Sequence, residues 1–267
     1  MRVCLLASGS KGNSLYIETG QSKILVDAGL SAREIQKRLA VIGIEGSDLN
    51  AVFISHEHTD HVRGAGILAR KLKIPVFISY PTHSESKDVF AGNEVVEFES
   101  GCSFMFRDLL IDPFPITHDS SDPVGFIIES AENRIGVATD LGIATRLVRE
   151  KLKDCGVLVL EFNHDEEMLL NGPYPWYLKQ RIKSRHGHLS NNDSAELLGE
   201  IVHERLEGIF LAHLSEANNH PEIASVAIRK TLEGQNVCSP QLFMGNQYQV
   251  SGVFSDNGNG KLQWMQD

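Results

Sequence analysis

The segment from Ser55 to His61 brings three histidines and two acids together as Ser-His-Glu-His-Thr-Asp-His. A short apolar run, Ala-Val-Phe-Ile, precedes it, and its β-branched and aromatic residues predict a buried strand. Alternate residues of extended chain share a face, so His56 and His58 can turn the same way. Asp60 and His61 come one turn later and can face a neighbouring point. Two ligand pairs aimed at adjacent points suit a two-metal site, in which the ions lie about 3.5–4 Å apart.

Three further residues with ligand side chains stand where other predicted strands end, namely His118, Asp140 and His213. Taken singly, either histidine could be a buried structural residue and Asp140 could be a turn residue. Each is nevertheless delivered by a buried strand, as the first motif is. Together with that motif they complete one constellation.

The candidate ligands form two groups of three and one shared carboxylate. These are His56, His58 and His118 for one ion, Asp60, His61 and His213 for the second, and Asp140 as the bridge. An open position on each ion leaves room for a bridging water, whose pKa falls steeply on binding. Donors that are all nitrogen or oxygen suit Zn²⁺, Mn²⁺ or Fe²⁺. We therefore expect two divalent ions, with Zn²⁺ as the first choice.

Composition describes an ordinary globular protein. The 267 residues are 42% hydrophobic and 22% charged, and we expect them to form a single domain over 1–267. Four scattered cysteines without a CxxC pair argue for a reducing compartment, and against both a disulfide framework and a cysteine-based zinc site. The N-terminal apolar stretch is too short for a signal peptide, and no apolar window suits a membrane helix. We expect a cytoplasmic protein without membrane contact.

One segment of the chain has a charge opposite to that of the chain as a whole. The formal net charge of −10 disfavours broad, non-specific binding of nucleic acid. One stretch reverses it, since Lys179, Arg181, Lys183 and Arg185 have no acid between them. This basic run is either a track for phosphates or a solvated helix end. We expect few exposed aromatic residues beside it, so base stacking is not indicated.

The order of predicted elements indicates the fold class. Strands and one helix come first, short strands dominate from 94 to 139, and strands then alternate with helices. This order fits two packed sheets with helices on the outer faces. Asp60 should cap the helix after the histidine motif, a helix over 164–183 should break at Gly172-Pro173, and a Gly/Asn turn should occupy 257–260.

The HxHxDH motif, followed by a later His, a later Asp and a last His, resembles the metallo-β-lactamase superfamily over most of the chain. The resemblance implies an α/β fold of the αββα four-layer sandwich type, with two mixed β-sheets flanked by helices. It also implies a binuclear metal centre. Asp27 matches the aspartate that orients the metal loop from behind in this superfamily, although it could be a simple turn cap.

Other segments resemble the YycJ/WalJ-type branch. They are Ala-Ser-Gly-Ser-Lys-Gly-Asn at 7–13, His-Asp-Ser-Ser-Asp-Pro-Val-Gly-Phe at 118–126, Glu-Phe-Asn-His-Asp at 161–165 and Gly-His-Leu-Ser-Asn at 187–191. That branch is implicated in DNA metabolism, so the resemblance implies a 5′-to-3′ DNA exonuclease that attacks phosphorus with a metal-bridging hydroxide.

His188 is not needed as a ligand for either ion. It precedes a predicted helix start at Ser190 and Asn191, where free backbone N–H groups suit a phosphate. A histidine in this position assists the scissile phosphate or its leaving group in the phosphodiesterase branches of the superfamily. We predict Asp60 and His188 as catalytic residues. The predicted substrate-binding residues are Ser190, Asn191, Lys179 and Arg181. A surface histidine is the alternative for His188.

The sequence therefore predicts a metal-dependent phosphodiester hydrolase with DNA as its substrate and partner. The main alternative is hydrolysis of a small cyclic phosphodiester or another small ester in the same site. A diiron redox protein is a rival from another class, but such relatives usually carry an acid where this chain has His58. A non-catalytic binding module is disfavoured by the complete ligand set. The oligomeric state stays open.

Overall fold

The computed structural model describes residues 1–256, which contain fourteen strands in two seven-stranded sheets. The first sheet contains β1 (Arg2–Ala7), β2 (Ser14–Glu18), β3 (Lys23–Val26), β4 (Ala51–Phe53), β5 (Val76–Ser79), β6 (Val95–Phe98) and β14 (Phe254–Ser255). The second contains β7 (Phe104–Phe106), β8 (Leu109–Pro115), β9 (Val124–Glu129), β10 (Arg134–Ala138), β11 (Val157–Glu161), β12 (Gly208–Ala212) and β13 (Gln241–Met244).

Both sheets are mixed, and each has a parallel half. The order of the first sheet is β14-β1-β2-β3-β4-β5-β6, with β3 to β6 parallel. The order of the second is β13-β12-β11-β10-β9-β8-β7, with β10 to β13 parallel. Parallel neighbours end at the same edge of a sheet, so residues that follow β3, β4, β10, β11 and β12 can be gathered there.

Helices connect the strands and cover the outer faces. They are α1 (Ala32–Val41), α2 (Thr59–Val62), α3 (Ala65–Leu72), α4 (Tyr80–Glu85), α5 (Lys87–Phe90), α6 (Arg146–Leu152), α7 (Glu166–Asn171), α8 (Trp176–Ile182), α9 (Asn191–Ile201) and α10 (Pro221–Gln235). A single 3₁₀ turn spans Gly46–Asp48 in the part of the chain described.

Alternate residues of a buried strand face opposite sides of its sheet and so pack into different layers. In β1, Val3 and Leu5 pack into the core between the two sheets, whereas Cys4 and Leu6 pack under α1 and α3. A third cluster joins the other face of the second sheet to α6, α9 and α10. The predicted αββα sandwich is confirmed.

Several local predictions are confirmed and others are wrong. The helix over 164–183 occurs as α7 and α8 on either side of the segment 172–175. Asp60 does not cap its helix, because His58 is the N-cap residue and Asp60 lies in the first turn. The helix then breaks at Gly64, where an added Cβ would lie 2.0 Å from the Leu30 carbonyl oxygen. This close approach of two backbone segments leaves room only for glycine.

Within residues 1–256, no helix combines the length and the apolar character needed to cross a membrane. The predicted turn at 257–260 lies outside the described residues. The prediction of one domain over 1–267 includes them and stays a prediction.

Candidate metal centre

The loop from Ser55 to His61 is fixed by main-chain hydrogen bonds to two neighbouring loops. The Asn13 N–H donates to the Asp60 carbonyl at 2.7 Å, and the Ala28 N–H donates to the His61 carbonyl at 2.8 Å. Gly29 lies so close that an added Cβ would be 1.6 Å from the Asp60 carbonyl oxygen. The loop therefore holds its shape through the backbone, independently of its histidine side chains.

Asp27 lies behind this loop at the end of β3. Its carboxylate accepts from the Ser55 N–H at 2.9 Å, from the Ser55 hydroxyl at 2.8 Å and from His61 Nδ1 at 2.8 Å. With Nδ1 committed as a donor, His61 presents its other nitrogen, Nε2, to the cluster. Hydrogen bonding of this kind fixes the tautomer and orientation of a metal-binding histidine.

Two strand-end residues reach the cluster through left-handed backbone. Asp140 follows β10 at φ 57°, and His213 follows β12 at φ 56°. Asp140 lies among the other side chains, with Oδ2 3.2 Å from His61 Nε2 and Oδ1 3.5 Å from His213 Nε2. Its Oδ1 is 3.8 Å from His118 Nε2. The carboxylate thus stands between the two predicted ligand groups.

The predicted ligands are brought together. Donor atoms lie within 4.8 Å of one another in each of these sets: His56, His58 and His118; Asp60, His61 and His213; and His56, His61 and Asp140. Two of these sets are the triads predicted from the sequence. The third connects the triads through Asp140.

The chemistry of the donors fits divalent metal ions. Asp140 Oδ2 and His213 Nε2 are buried and have no hydrogen-bond partner within residues 1–256. Buried polar atoms without partners are costly, and two of them within one cluster of donor side chains favour a bound ion at this place. Nitrogen and oxygen donors without a thiolate suit Zn²⁺, Mn²⁺ or Fe²⁺.

The electrostatics of His56, His118 and Asp140 agree with this fit. For His61 and His213, neighbouring carboxylates outweigh burial and raise the pKa, so a bound ion would have to displace a proton from each of these rings. Burial lowers the pKa of His56 and of His118, which leaves both imidazoles neutral with lone pairs available. Burial would raise the pKa of Asp140, but His213 and His61 outweigh burial and hold that pKa well below its usual range. A neutral imidazole and an ionised carboxylate are the forms that bind metals.

Glu161 is a site residue that the sequence reasoning missed. It ends β11, is 1% exposed, and accepts hydrogen bonds from His188 Nδ1 at 2.7 Å and His213 Nδ1 at 3.1 Å. Burial raises its pKa, but His188 and His213 outweigh burial and lower that pKa to about 2. The signal was a charged residue at the end of the apolar strand Val-Leu-Val-Leu, as with Asp140.

Two asparagines were also missed. Asn13, in the Gly/Ser-rich turn, donates its amide to Asp60 Oδ2 at 3.1 Å and lies 3.0 Å from His61 Nε2. Asn163 donates to the His213 carbonyl at 3.0 Å. Both belong to segments that resemble the YycJ/WalJ branch, but nothing in those segments marked either asparagine as a partner of a candidate ligand.

The cluster opens into a cavity of about 290 Å³. His58, Asp60, His118, Asp140 and His213 line its floor, and His188 stands at the side of that floor with its ring centre 5.0 Å from that of His213. Tyr174, Leu178, Arg181 and Ile182 come from one segment and form one wall, and Ser10, Leu214 and Ser215 also line the cavity. The floor is thus polar, and the wall on the α8 side is apolar apart from Arg181.

Ser190 and Asn191 do not line this cavity, and their predicted role in substrate binding is corrected. Both side chains are buried. Ser190 forms a capping box with Asp193, and the Asn191 N–H donates to the His164 carbonyl at 2.8 Å. The amide side chain of Asn191 pairs with that of Asn219. The groups expected to hold a phosphate are occupied by the fold.

Only part of the basic run is available to contact a substrate phosphate. Lys179 donates its ammonium to the Leu170 and Gly172 carbonyls at 2.7 and 2.8 Å, so its predicted contact with substrate is corrected to a structural one. Arg181 lines the cavity and pairs with Asp119 at 2.5 Å. Lys183 and Arg185 are exposed and form no ion pair with the described residues.

Comparison with known proteins defines the class to which this fold and site belong. Residues 22–209 match the family described as Beta-lactamase superfamily domain. The metallo-β-lactamase fold protein YhfI from Bacillus subtilis superposes with a TM-score of 0.69 over 93% of this chain and 98% of that protein, at 16% identity. The chain therefore belongs to the metallo-β-lactamase superfamily, which confirms the predicted metal-dependent hydrolase.

Two curated relatives narrow the resemblance to the predicted branch. Exodeoxyribonuclease YycJ of Bacillus anthracis is 34% identical over 232 residues, which cover 86% of this chain and 88% of that protein. Exodeoxyribonuclease WalJ of Streptococcus pneumoniae is 38% identical over 229 residues, covering 84% and 85% respectively. The YycJ/WalJ-type resemblance is thereby confirmed.

Proposed function

We propose that this chain is a metal-dependent exonuclease that hydrolyses phosphodiester bonds of DNA from the 5′ end. The observation that carries this proposal is the position of His188, which faces the candidate metal cluster and is held there by buried Glu161. Similarity to two proteins named exodeoxyribonucleases over most of the chain supports DNA as the substrate.

The cluster would hold two divalent ions, with Zn²⁺ as the first expectation. One would be bound by His56, His58 and His118, the other by Asp60, His61 and His213, and Asp140 would contact both. Such ions supply Lewis acidity, which neutralises phosphate oxygens and makes water nucleophilic at neutral pH. The chain's own part is to fix these donors, and Asp27 and Glu161 do so through His61 and His213.

His188 would deliver a proton to the departing oxygen. Because its Nδ1 donates to Glu161 at 2.7 Å, a proton available for transfer is carried on Nε2, which faces the cavity. Buried Glu161 stays ionised and fixes the orientation of the ring through this hydrogen bond. His188 belongs to neither predicted triad and groups instead with Asp140, Glu161 and His213, so it would act as the acid while the triads hold the ions.

An assay on end-labelled DNA tests this function. The protein, loaded in turn with Zn²⁺, Mn²⁺ or Fe²⁺, is incubated with 5′-phosphorylated DNA and, in parallel, with a small cyclic phosphodiester. We expect nucleotides to be released successively from the 5′ end. Vigorous hydrolysis of the cyclic ester with no digestion of DNA would instead support the small-ester alternative.

Salt dependence tests whether the exposed part of the basic run contacts a polymer. Replacing Lys183 and Arg185 together with alanine should weaken DNA binding and flatten the plot of log affinity against log salt by about one to two units, since each phosphate contact contributes roughly 0.7–0.9. Hydrolysis of a small phosphodiester should be unchanged, because neither residue lines the cavity.

Lys179→Ala is the matched control for this experiment. Its ammonium is held by two carbonyl groups, so its loss should leave the salt slope as in the parent. Equal slopes for the parent and the double variant would show that the basic run does not track phosphates.

A further inference from the structure

The apolar wall of the cavity has no part in the chemistry described so far. It comes from one segment, in which Leu178 and Ile182 lie one turn apart on α8 and Tyr174 lies just before the helix, and all three line the cavity. The hydrolytic roles fall to imidazoles and carboxylates on the floor. An aromatic and aliphatic wall beside a phosphate-handling floor is suited to the flat, weakly polar part of a nucleotide, the base.

The backbone around Tyr174 is restricted. It lies between Pro173 and Pro175, which restrict the backbone on both sides. Lys179 clamps the preceding loop by donating to the Leu170 and Gly172 carbonyls. Gly172 packs so closely that an added Cβ would be 2.3 Å from Asn218 Oδ1. A backbone restricted in advance loses less conformational entropy when a ligand binds to the residue that it carries.

The aromatic surface continues outside the cavity along α8. Trp176 is 63% exposed and Tyr177 is 73% exposed. Tyr177 precedes Arg181 by four residues, which places both side chains on one helix face. Exposed Lys183 and Arg185 follow. The expectation of few exposed aromatics beside the basic run was therefore wrong. Rings interleaved with cations are the combination that binds unpaired nucleic acid strands.

The size of the cavity limits what can enter it. At about 290 Å³, it lies at the small end of the range of roughly 300–1,000 Å³ for ligand sites. One nucleotide fits such a volume, but stacked base pairs do not. A nucleotide that reaches the floor must therefore leave its own base stack, and its base then needs another apolar partner.

We propose that Tyr174, Trp176 and Tyr177 form a stacking platform for unpaired bases, and that the enzyme accepts a single-stranded or frayed DNA end. The terminal base lies on Tyr174 inside the cavity, and following bases lie on Tyr177 and Trp176. Arg181, ion-paired with Asp119, is on the helix face of Tyr177 and contacts the intervening phosphates. This inference rests on the proposed function and specifies its substrate.

Binding to oligonucleotides with and without bases tests the platform. The metal-loaded protein is titrated with a short oligothymidylate carrying nuclease-resistant phosphorothioate linkages, and with an abasic oligomer of the same length. Tyr174→Ala and Tyr177→Ala should each weaken thymidylate binding about 5- to 150-fold, the range for loss of one stacked base. Neither should change binding of the abasic oligomer.

Two control variants separate stacking from general effects. Tyr174→Phe keeps the ring and should bind thymidylate as the parent does. Met105→Ala removes an exposed apolar side chain on the edge strand β7 and should have no effect. Tyr177 is largely exposed, so its alanine variant should fold even if Tyr174→Ala does not.

The outcomes distinguish failure of the stacking platform from failure of the proposed function. If the parent neither binds nor digests DNA, the proposed function fails and the platform with it. If the parent digests DNA but both alanine variants bind thymidylate like the parent, the platform is wrong and the function stands. Equal affinity of the parent for the abasic oligomer and oligothymidylate would also overturn the platform.

Discussion

Asp140→Asn should lower the metal content of the protein from about two ions per chain to one or fewer. Asp140 lies between the two triads, 3.2 Å from His61 Nε2 and 3.5 Å from His213 Nε2, so both of the proposed ions would depend on its charge. Asparagine keeps the shape and tolerates the left-handed backbone at φ 57°, where alanine would add strain. We expect turnover to fall by at least about 10²–10³, as when one electrostatic stabiliser is removed.

Elemental analysis of the purified variant measures this effect, and Asp119→Asn is its control. Asp119 Oδ1 lies 3.4 Å from His118 Nε2 but belongs to neither triad, so its variant should keep both ions. Two ions retained by Asp140→Asn would refute the bridging role. Loss of metal by Asp119→Asn would instead show that the ligand set is drawn incorrectly.

His188→Ala should keep both ions and the fold but lose about 10²–10⁴ in turnover on a phosphodiester, the range for loss of a general acid. The ring is near the cluster yet outside both triads, which is why metal content and activity should separate. Metal analysis, thermal unfolding and steady-state kinetics on one preparation measure the three quantities.

The neighbouring His186 offers a matched control. It is exposed and does not line the cavity, so His186→Ala should retain full activity. Glu161→Gln should lower kcat more than it raises KM, since it disturbs the orientation of His188 rather than contact with substrate. Parent-like rates for His188→Ala on both DNA and a small ester would remove this residue from the mechanism.

The sequence predicted which candidate ligands come together because each of them belongs to the histidine motif or follows a predicted strand. His56, His58 and His61 share one short motif, and Asp140 and His213 each end an apolar strand. Parallel strands necessarily bring such ends to one edge, so a one-dimensional pattern sufficed to place these residues together.

Prediction failed for side chains whose partners the spacing of residues along the chain does not reveal. Ser190 and Asn191 read as free helix-start groups, yet the fold occupies them through Asp193, His164 and Asn219. Lys179 likewise donates to carbonyl groups at the end of α7 and just after it. The exposure of Trp176 and Tyr177 was hidden for the same reason, because helical spacing does not reveal which face lacks a covering neighbour.

The left-handed backbone at Asp27, Asp140 and His213 lowers the stability of the fold but places the side chains of the candidate site. Each residue holds φ between 56° and 61°, a conformation that costs a non-glycine residue roughly 1–2 kcal/mol. Glycine would relieve that cost at all three positions while deleting the side chain on which the site depends. Directed evolution for heat resistance alone would therefore favour glycine at these positions and remove the side chains of the site. Only selection that also rewards turnover would preserve them.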